Sequence, residues 1–213
     1  MYSEGIFDCS KPQVHHLEDL PNEVFLLDDL NDVEKFLSSK KDLALGTLSY
    51  PQGYDCTVEQ GVKSDIDLDF KVKDIDSVAE QSSQLATALL QPILPLCYAI
   101  EARTPSKKRL TIKVIRDQMC PLFHVDRAFI RILITLAGPG TQWLQERDIN
   151  RKNLGKGYRK PIAKPDSYLQ QILVKQVGIL KGSKYPGSKG LVHRSPPVNP
   201  TSDPRLIMRL DFI

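Results

Sequence analysis

Long apolar runs are absent from this 213-residue chain. No stretch of about 18 apolar residues occurs, which excludes a membrane-spanning helix. Met1 to Ser10 carries acidic residues where a secretory leader needs a basic start and an apolar core, so a cytoplasmic protein without a membrane partner is expected. A strong excess of one charge is missing too. The formal net charge is +3 and the pI about 8.6, a weak basis for nucleic-acid binding. Cysteine is sparse: Cys9, Cys56, Cys97 and Cys120 lie far apart, with no CxxC pair to suggest a zinc ribbon or a dithiol redox motif. No internal repeat is visible.

Hydrophobic residues make up 41% and charged residues 26% of the chain, the balance of an ordinary globular protein. Its length favours one domain, residues 1–213, over two small ones. The first twenty residues show no period and read as an irregular arm. Leu30, Val33, Phe36 and Leu37 recur at helical spacing and predict a short amphipathic helix over Asp28 to Ser39. Ser64 to Val72 alternates Ile66, Leu68 and Phe70 with aspartates and predicts a strand. Ser77 to Gln91 predicts a helix, opened by Ser77 and Glu80 at capping-box spacing and closed near Pro92. After Pro105 the texture changes to short alternating runs broken by Gly and Pro, which is the pattern of a β core. Those runs are Arg109 to Arg116, Pro121 to Asp126, Ala128 to Leu136, Gln176 to Lys181, Gly190 to Arg194 and Arg205 to Phe212. Asn150 to Asp166, rich in Lys, Arg and Gly, reads as a mobile surface loop, and Lys181 and Lys184 as surface lysines. The expected fold is α+β and mainly β. Residues 1–105 supply an arm and helical support, and residues 106–213 form a double-stranded β-helix barrel of the jelly-roll or cupin kind.

Within the β region, His124 and Asp126 stand two residues apart, so on an extended strand both address one point. His193 follows 67 positions later (193 − 126), far enough for the chain to return a strand alongside. Two imidazoles and one carboxylate form a donor set that leaves positions open on iron(II). The competing reading is a polar pair on a solvated strand face. Cys120, four positions before His124, is either a buried thiol or an additional ligand that would favour zinc. Trp143 reads as a core anchor or a stacking platform. Arg131, flanked by isoleucines, needs an acidic partner, which is Asp126, Asp211 or a bound acid.

Several of these motifs occur together in a known family. Phe123-His124-Val125-Asp126-Arg127, the run Arg131 to Trp143 with its Gly138-Pro139-Gly140-Thr141 turn, Leu180-Lys181-Gly182 and Val192-His193-Arg194-Ser195-Pro196-Pro197 resemble the bacterial family called domain of unknown function 1826. The resemblance spans roughly Arg109 to Phe212. Members often lie beside genes for zinc homeostasis, which implies a metal context. More distantly, the HxD pair, the later histidine and a downstream arginine are similar to 2-oxoglutarate-dependent oxygenases. His193-Arg194-Ser195 followed by Asn199, Ser202 and Arg205 resembles the phytanoyl-CoA hydroxylase-like group, apart from Arg194, where that group commonly has a small residue.

This second resemblance implies iron(II) held by His124, Asp126 and His193, with 2-oxoglutarate as cosubstrate. The cosubstrate's far carboxylate would be gripped by an arginine one strand beyond His193, because a guanidinium pairs with a carboxylate through two parallel hydrogen bonds. Arg205 (+12) is the first candidate, Arg209 (+16) the second and Arg131 the third. Solvated arginines on an outer face are the competing reading. The substrate would be a small molecule or a protein side chain. Two other functions fit the same residues: a non-catalytic zinc-binding protein of metal homeostasis, and a cupin-like module binding a small acid through its arginines without a metal.

Overall fold

The computed structural model describes residues 21–77, 83–104, 107–157, 160–198 and 204–213. The expected N-terminal arm, Glu80 of the expected capping box, Asn199 and Ser202 lie outside these residues. Strands β1 (Val24–Leu27), β2 (Leu43–Thr47), β3 (Asp67–Val72), β4 (Lys108–Ile115), β5 (Ile130–Ala137), β8 (Gln176–Lys181) and β10 (Arg205–Phe212) build a seven-stranded sheet in the order β1-β2-β8-β5-β10-β4-β3. The β1–β2 pair is parallel and the other pairs are antiparallel. A second antiparallel sheet has the order β7-β6-β9, formed by Gln170–Gln171, Gln142–Trp143 and His193–Arg194. Among the described residues, helices α1 (Asp32–Ser38), α2 (Tyr54–Lys63), α3 (Gln84–Leu90) and α4 (Leu94–Glu101) precede β4. The architecture is thus α+β with mixed sheets. The two sheets are not closed into the expected jelly-roll barrel.

Strict alternation makes β10 the divider of the molecule. Leu206, Met208, Leu210 and Phe212 are buried with Ile130, Ile132, Ile134 and Leu136 of β5 in one core with the helices. Each such burial stabilises the fold by about 1.5–3 kcal/mol. The opposite face of β10 carries Arg205, Ile207, Arg209 and Asp211, and it turns toward the small sheet. There a second cluster joins Leu43, Leu45, Leu133 and Leu180 of the large sheet to Trp143 of β6. The charged face of β10 is therefore interior, which corrects the solvated-arginine reading: Arg205 is 1% exposed.

Four expectations about elements change. The helix expected over Ser77 to Gln91 is interrupted: Asp76 and Ser77 are helical and residues 78–82 lie outside the described residues, while Ser83 is extended and caps a new start, α3 at Gln84, by accepting from the Ala86 N–H. The strand over Pro121 to Asp126 shrinks to a single bridge between His124 and His193, with two backbone hydrogen bonds of 2.9 and 3.0 Å; Pro121 has no N–H to extend such a ladder. The Asn150–Asp166 segment is no loose loop where it is described. Asn150 N–H donates to Ile162 O and Lys164 N–H to Asp148 O, while Ile149 and Ile162 pack with Val192 over the small sheet. Lys181, finally, is 2% exposed, because its ammonium group donates to the Leu37 and Ser39 carbonyls that end α1. No helix among the described residues is long and apolar enough to cross a membrane.

Candidate metal centre

The His124–His193 bridge brings the two imidazoles together at the edge of the small sheet, with ring centroids 4.6 Å apart and ring planes tilted by 52°. Gly190 makes room for the turn into β9: its φ of 73° suits glycine, and a Cβ there would collide with Val125. Each imidazole Nδ1–H donates to the carbonyl two residues earlier, His124 to Leu122 O at 3.0 Å and His193 to Leu191 O at 3.2 Å. A carbonyl only accepts, so the proton sits on Nδ1 and the Nε2 lone pair is left for a ligand. His124 Nε2 is 3.6 Å from Asp126 Oδ1, and His193 Nε2 is 3.4 Å from Asp126 Oδ2. One donor atom from each of the three residues lies within 4.8 Å of the others.

Burial and neighbouring charges shift the three groups in different directions. Burial drives the His193 pKa down to about 4, which keeps this ring neutral. Burial also pulls His124 down, but hydrogen bonding to Asp126 and to the Leu122 carbonyl outweighs it and raises the pKa. For Asp126 burial works upward, yet the two histidines and Arg131 overcome it and hold the carboxyl well below the usual range. Asp126 Oδ2 is buried with no hydrogen-bond donor aligned on it, although Arg131 Nη1 stands 2.6 Å away. A buried, ionised carboxylate beside two imidazole Nε2 atoms fits a divalent cation.

Three arginines share the interior with this group, and their partners differ. Arg131 bridges Asp126 and Asp211, with Nε 2.5 Å from Asp211 Oδ1 and Nη2 3.1 Å from Oδ2. Its partners are the two protein carboxylates that sequence reasoning named for it. Arg209 donates to Thr111 Oγ1 and has Nε 3.2 Å from Asp211 Oδ2, a carboxylate Arg131 already engages. Arg205 has no carboxylate partner among the described residues. Its Nη2 donates to Thr135 and Thr141 hydroxyls at 3.2 and 3.1 Å, its Nε is buried and unsatisfied, and burial lowers its pKa to about 10. The Gly138-Pro139-Gly140-Thr141 turn delivers Thr141 to this spot. Gly138, at φ 76°, lies so close to Pro204 and Arg205 that a Cβ would sit 2.6 Å from the Pro204 carbonyl.

Cys120 is exposed and does not belong to the group of converging donors, which corrects it as an extra ligand. Arg194 turns away to Gln142 Oε1 and lies over the Phe123 ring. Trp143 sits in the core between the sheets with its Nε1 buried and unpaired. Asp126 and Asp211, both named from sequence as acidic partners for Arg131, meet it; missed by sequence reasoning were Thr135 and Thr141 as partners of Arg205. A cavity of about 830 Å³ opens elsewhere, between residues 37–43 and the 185–192 loop, and neither the three converging residues nor the three arginines line it.

Residues 60–211 match the family described as protein of unknown function DUF1826. No curated protein matches the chain. Among solved structures, HygX from Streptomyces hygroscopicus, with nickel and 2-oxoglutarate bound, superposes with a TM-score of 0.51 at 9% identity, covering 85% of this chain and 86% of its own. AtDAO1, the dioxygenase for auxin oxidation 1 from Arabidopsis thaliana in binary complex with 2-oxoglutarate, gives 0.49 at 8% identity, covering 89% and 91%. The likeness to HygX shows a shared fold.

Proposed function

Since the chain belongs to the DUF1826 family, we propose from its site that it is an iron(II)- and 2-oxoglutarate-dependent oxygenase. The observation that carries this reading is the convergence of His124, Asp126 and His193 donor atoms within 4.8 Å on this fold. His124 Nε2, His193 Nε2 and a carboxylate oxygen of Asp126 would hold the metal. When bound, iron(II) supplies open coordination positions and the redox chemistry by which dioxygen oxidises a substrate at the expense of the keto acid. The protein's residues do the placing. The Leu122 and Leu191 carbonyls set both imidazole tautomers, and burial keeps His193 from competing for a proton. Arg205, buried with an unsatisfied Nε, receives the far carboxylate of 2-oxoglutarate. Packing of Trp143, Leu133 and Leu180 between the sheets excludes water from that end.

The test is an anaerobic titration of the iron(II)-loaded protein with 2-oxoglutarate, following the weak visible charge-transfer band of a chelated keto acid and the heat of binding. The expected result is a saturable band that is lost, together with bound iron, in His124→Ala and His193→Ala. A folded, iron-loaded protein without band or heat overturns the oxygenase reading.

A further inference from the structure

On the metal-site reading above, we infer that Arg131 is a positioning residue that sets the Asp126 carboxylate for the cation and is itself set by Asp211. Asp126 follows the His124 bridge in irregular chain, and no strand holds it. Among the described residues its backbone is tied at the carbonyl alone, where Ser183 N–H donates at 2.8 Å. The side chain needs another restraint if one oxygen is to face the two Nε2 atoms. Arg131 Nη1 supplies it, 2.6 Å from Oδ2.

Arg131 can do so because its own plane is fixed. Asp211 is its register partner across the β5–β10 pair, and the Nε and Nη2 edge of the guanidinium grips both Asp211 oxygens. The Nη1 atom is thereby left toward Asp126. Asp211 is steadied in turn by Arg209, whose Nη2 is anchored on Thr111. The result is an ordered row, Arg209–Asp211–Arg131–Asp126, that runs from the middle of the large sheet to the candidate metal ligand.

Stability alone does not account for the row. Buried ion pairs give back most of their attraction in desolvation, and apolar residues of similar volume do as well or better. Charge balance alone does not account for it either. The interior face holds three guanidiniums, Arg131, Arg205 and Arg209, against two carboxylates, Asp126 and Asp211. A cation placed beside Asp126 is repelled by Arg131. The two explanations therefore differ in sign. If Arg131 mattered only as a charge, its removal would tighten metal binding; if it orients the ligand, removal weakens binding, as loss of an outer partner of a ligand does by roughly 10- to 100-fold. A lysine keeps the charge but loses the fork that engages two carboxylates at once.

The experiment is calorimetric titration of the full-length chain with manganese(II), alongside the visible spectrum of the cobalt(II)-loaded protein, for the native sequence and for Arg131→Gln, Arg131→Lys and Asp211→Asn. Circular dichroism and thermal midpoints verify folding. The expected result is that folded Arg131→Lys and Asp211→Asn bind manganese(II) at least about tenfold more weakly, with an altered cobalt spectrum, and that Arg131→Gln does the same or worse. Native-like affinity and spectrum in the lysine and asparagine variants, or tighter binding in Arg131→Gln, overturns the inference while leaving the metal site standing. Failure of the native chain to bind either cation overturns the metal reading itself, a separate outcome. Arg131→Lys retains the buried positive charge, so the test survives even if the glutamine variant does not fold.

Discussion

Arg205→Ala isolates the role of one buried guanidinium. Arg205 is 1% exposed, and among the described residues it donates only to two threonine hydroxyls and leaves Nε unsatisfied. If the far carboxylate of 2-oxoglutarate completes this set, the variant loses at least one charge-assisted hydrogen bond, worth about 1.5–3 kcal/mol. At about 1.4 kcal/mol per factor of ten, the dissociation constant rises roughly 10- to 150-fold. Bound iron, measured by elemental analysis, should stay unchanged, because Arg205 is not among the three converging residues. Stability should respond little. Truncating a buried apolar side chain costs about 2–5 kcal/mol, but here the same step relieves a desolvated charge that has no carboxylate partner. The assay is the anaerobic charge-transfer titration, with urea unfolding of the ligand-free protein as the control. Arg205→Lys, which keeps the charge without the fork, should fall between the two, and Thr141→Val, which removes one hydroxyl that holds Nη2, should weaken binding by a smaller factor. An unchanged dissociation constant in iron-loaded Arg205→Ala refutes the assignment. Loss of binding in Arg209→Ala instead moves the role four residues along the same face.

Cys120→Ser should leave metal affinity and the cobalt spectrum unaltered, since the thiol is exposed and outside the converging group; loss of metal in a folded variant restores the thiolate–zinc reading. With a thiol reagent, Cys56 and Cys120 should react in the native protein and Cys97 only on unfolding, because Cys97 is buried and burial pushes its pKa up; mass-spectrometric mapping of labelled peptides checks this. Phe212→Ala should cost about 3–5 kcal/mol in urea unfolding, since Phe212 is wholly buried at the end of β10. Leu26→Ala, 41% exposed on the edge strand β1, should stay within about 0.5 kcal/mol of the native protein, and an equal loss in both would contradict the assigned core.

Local chemistry determined a good deal of this protein from sequence alone. The period of two in Arg205 to Phe212 and in Gln176 to Lys181 named β10 and β8 to the residue, because a strand with one apolar face cannot slip without exposing it. The spacing of His124, Asp126 and His193 named the three residues whose donor atoms converge. Strands β1 and β2 were not legible, being four and five residues long without clear alternation; they are strands because β8 offers an edge to pair with. Pro121 to Asp126 was read as regular by its side-chain pattern, yet pairing needs a partner, and only His124 finds one. Above all, tertiary structure decided what the arginines are for. Arg131, Arg205 and Arg209 look alike in sequence, and their roles separate only when packing sets Asp126 and Asp211 against the first, part of Asp211 against the third and, among the described residues, no carboxylate against Arg205. A buried charge is defined by what faces it across the sheet, and that neighbour comes from chain tens of residues away.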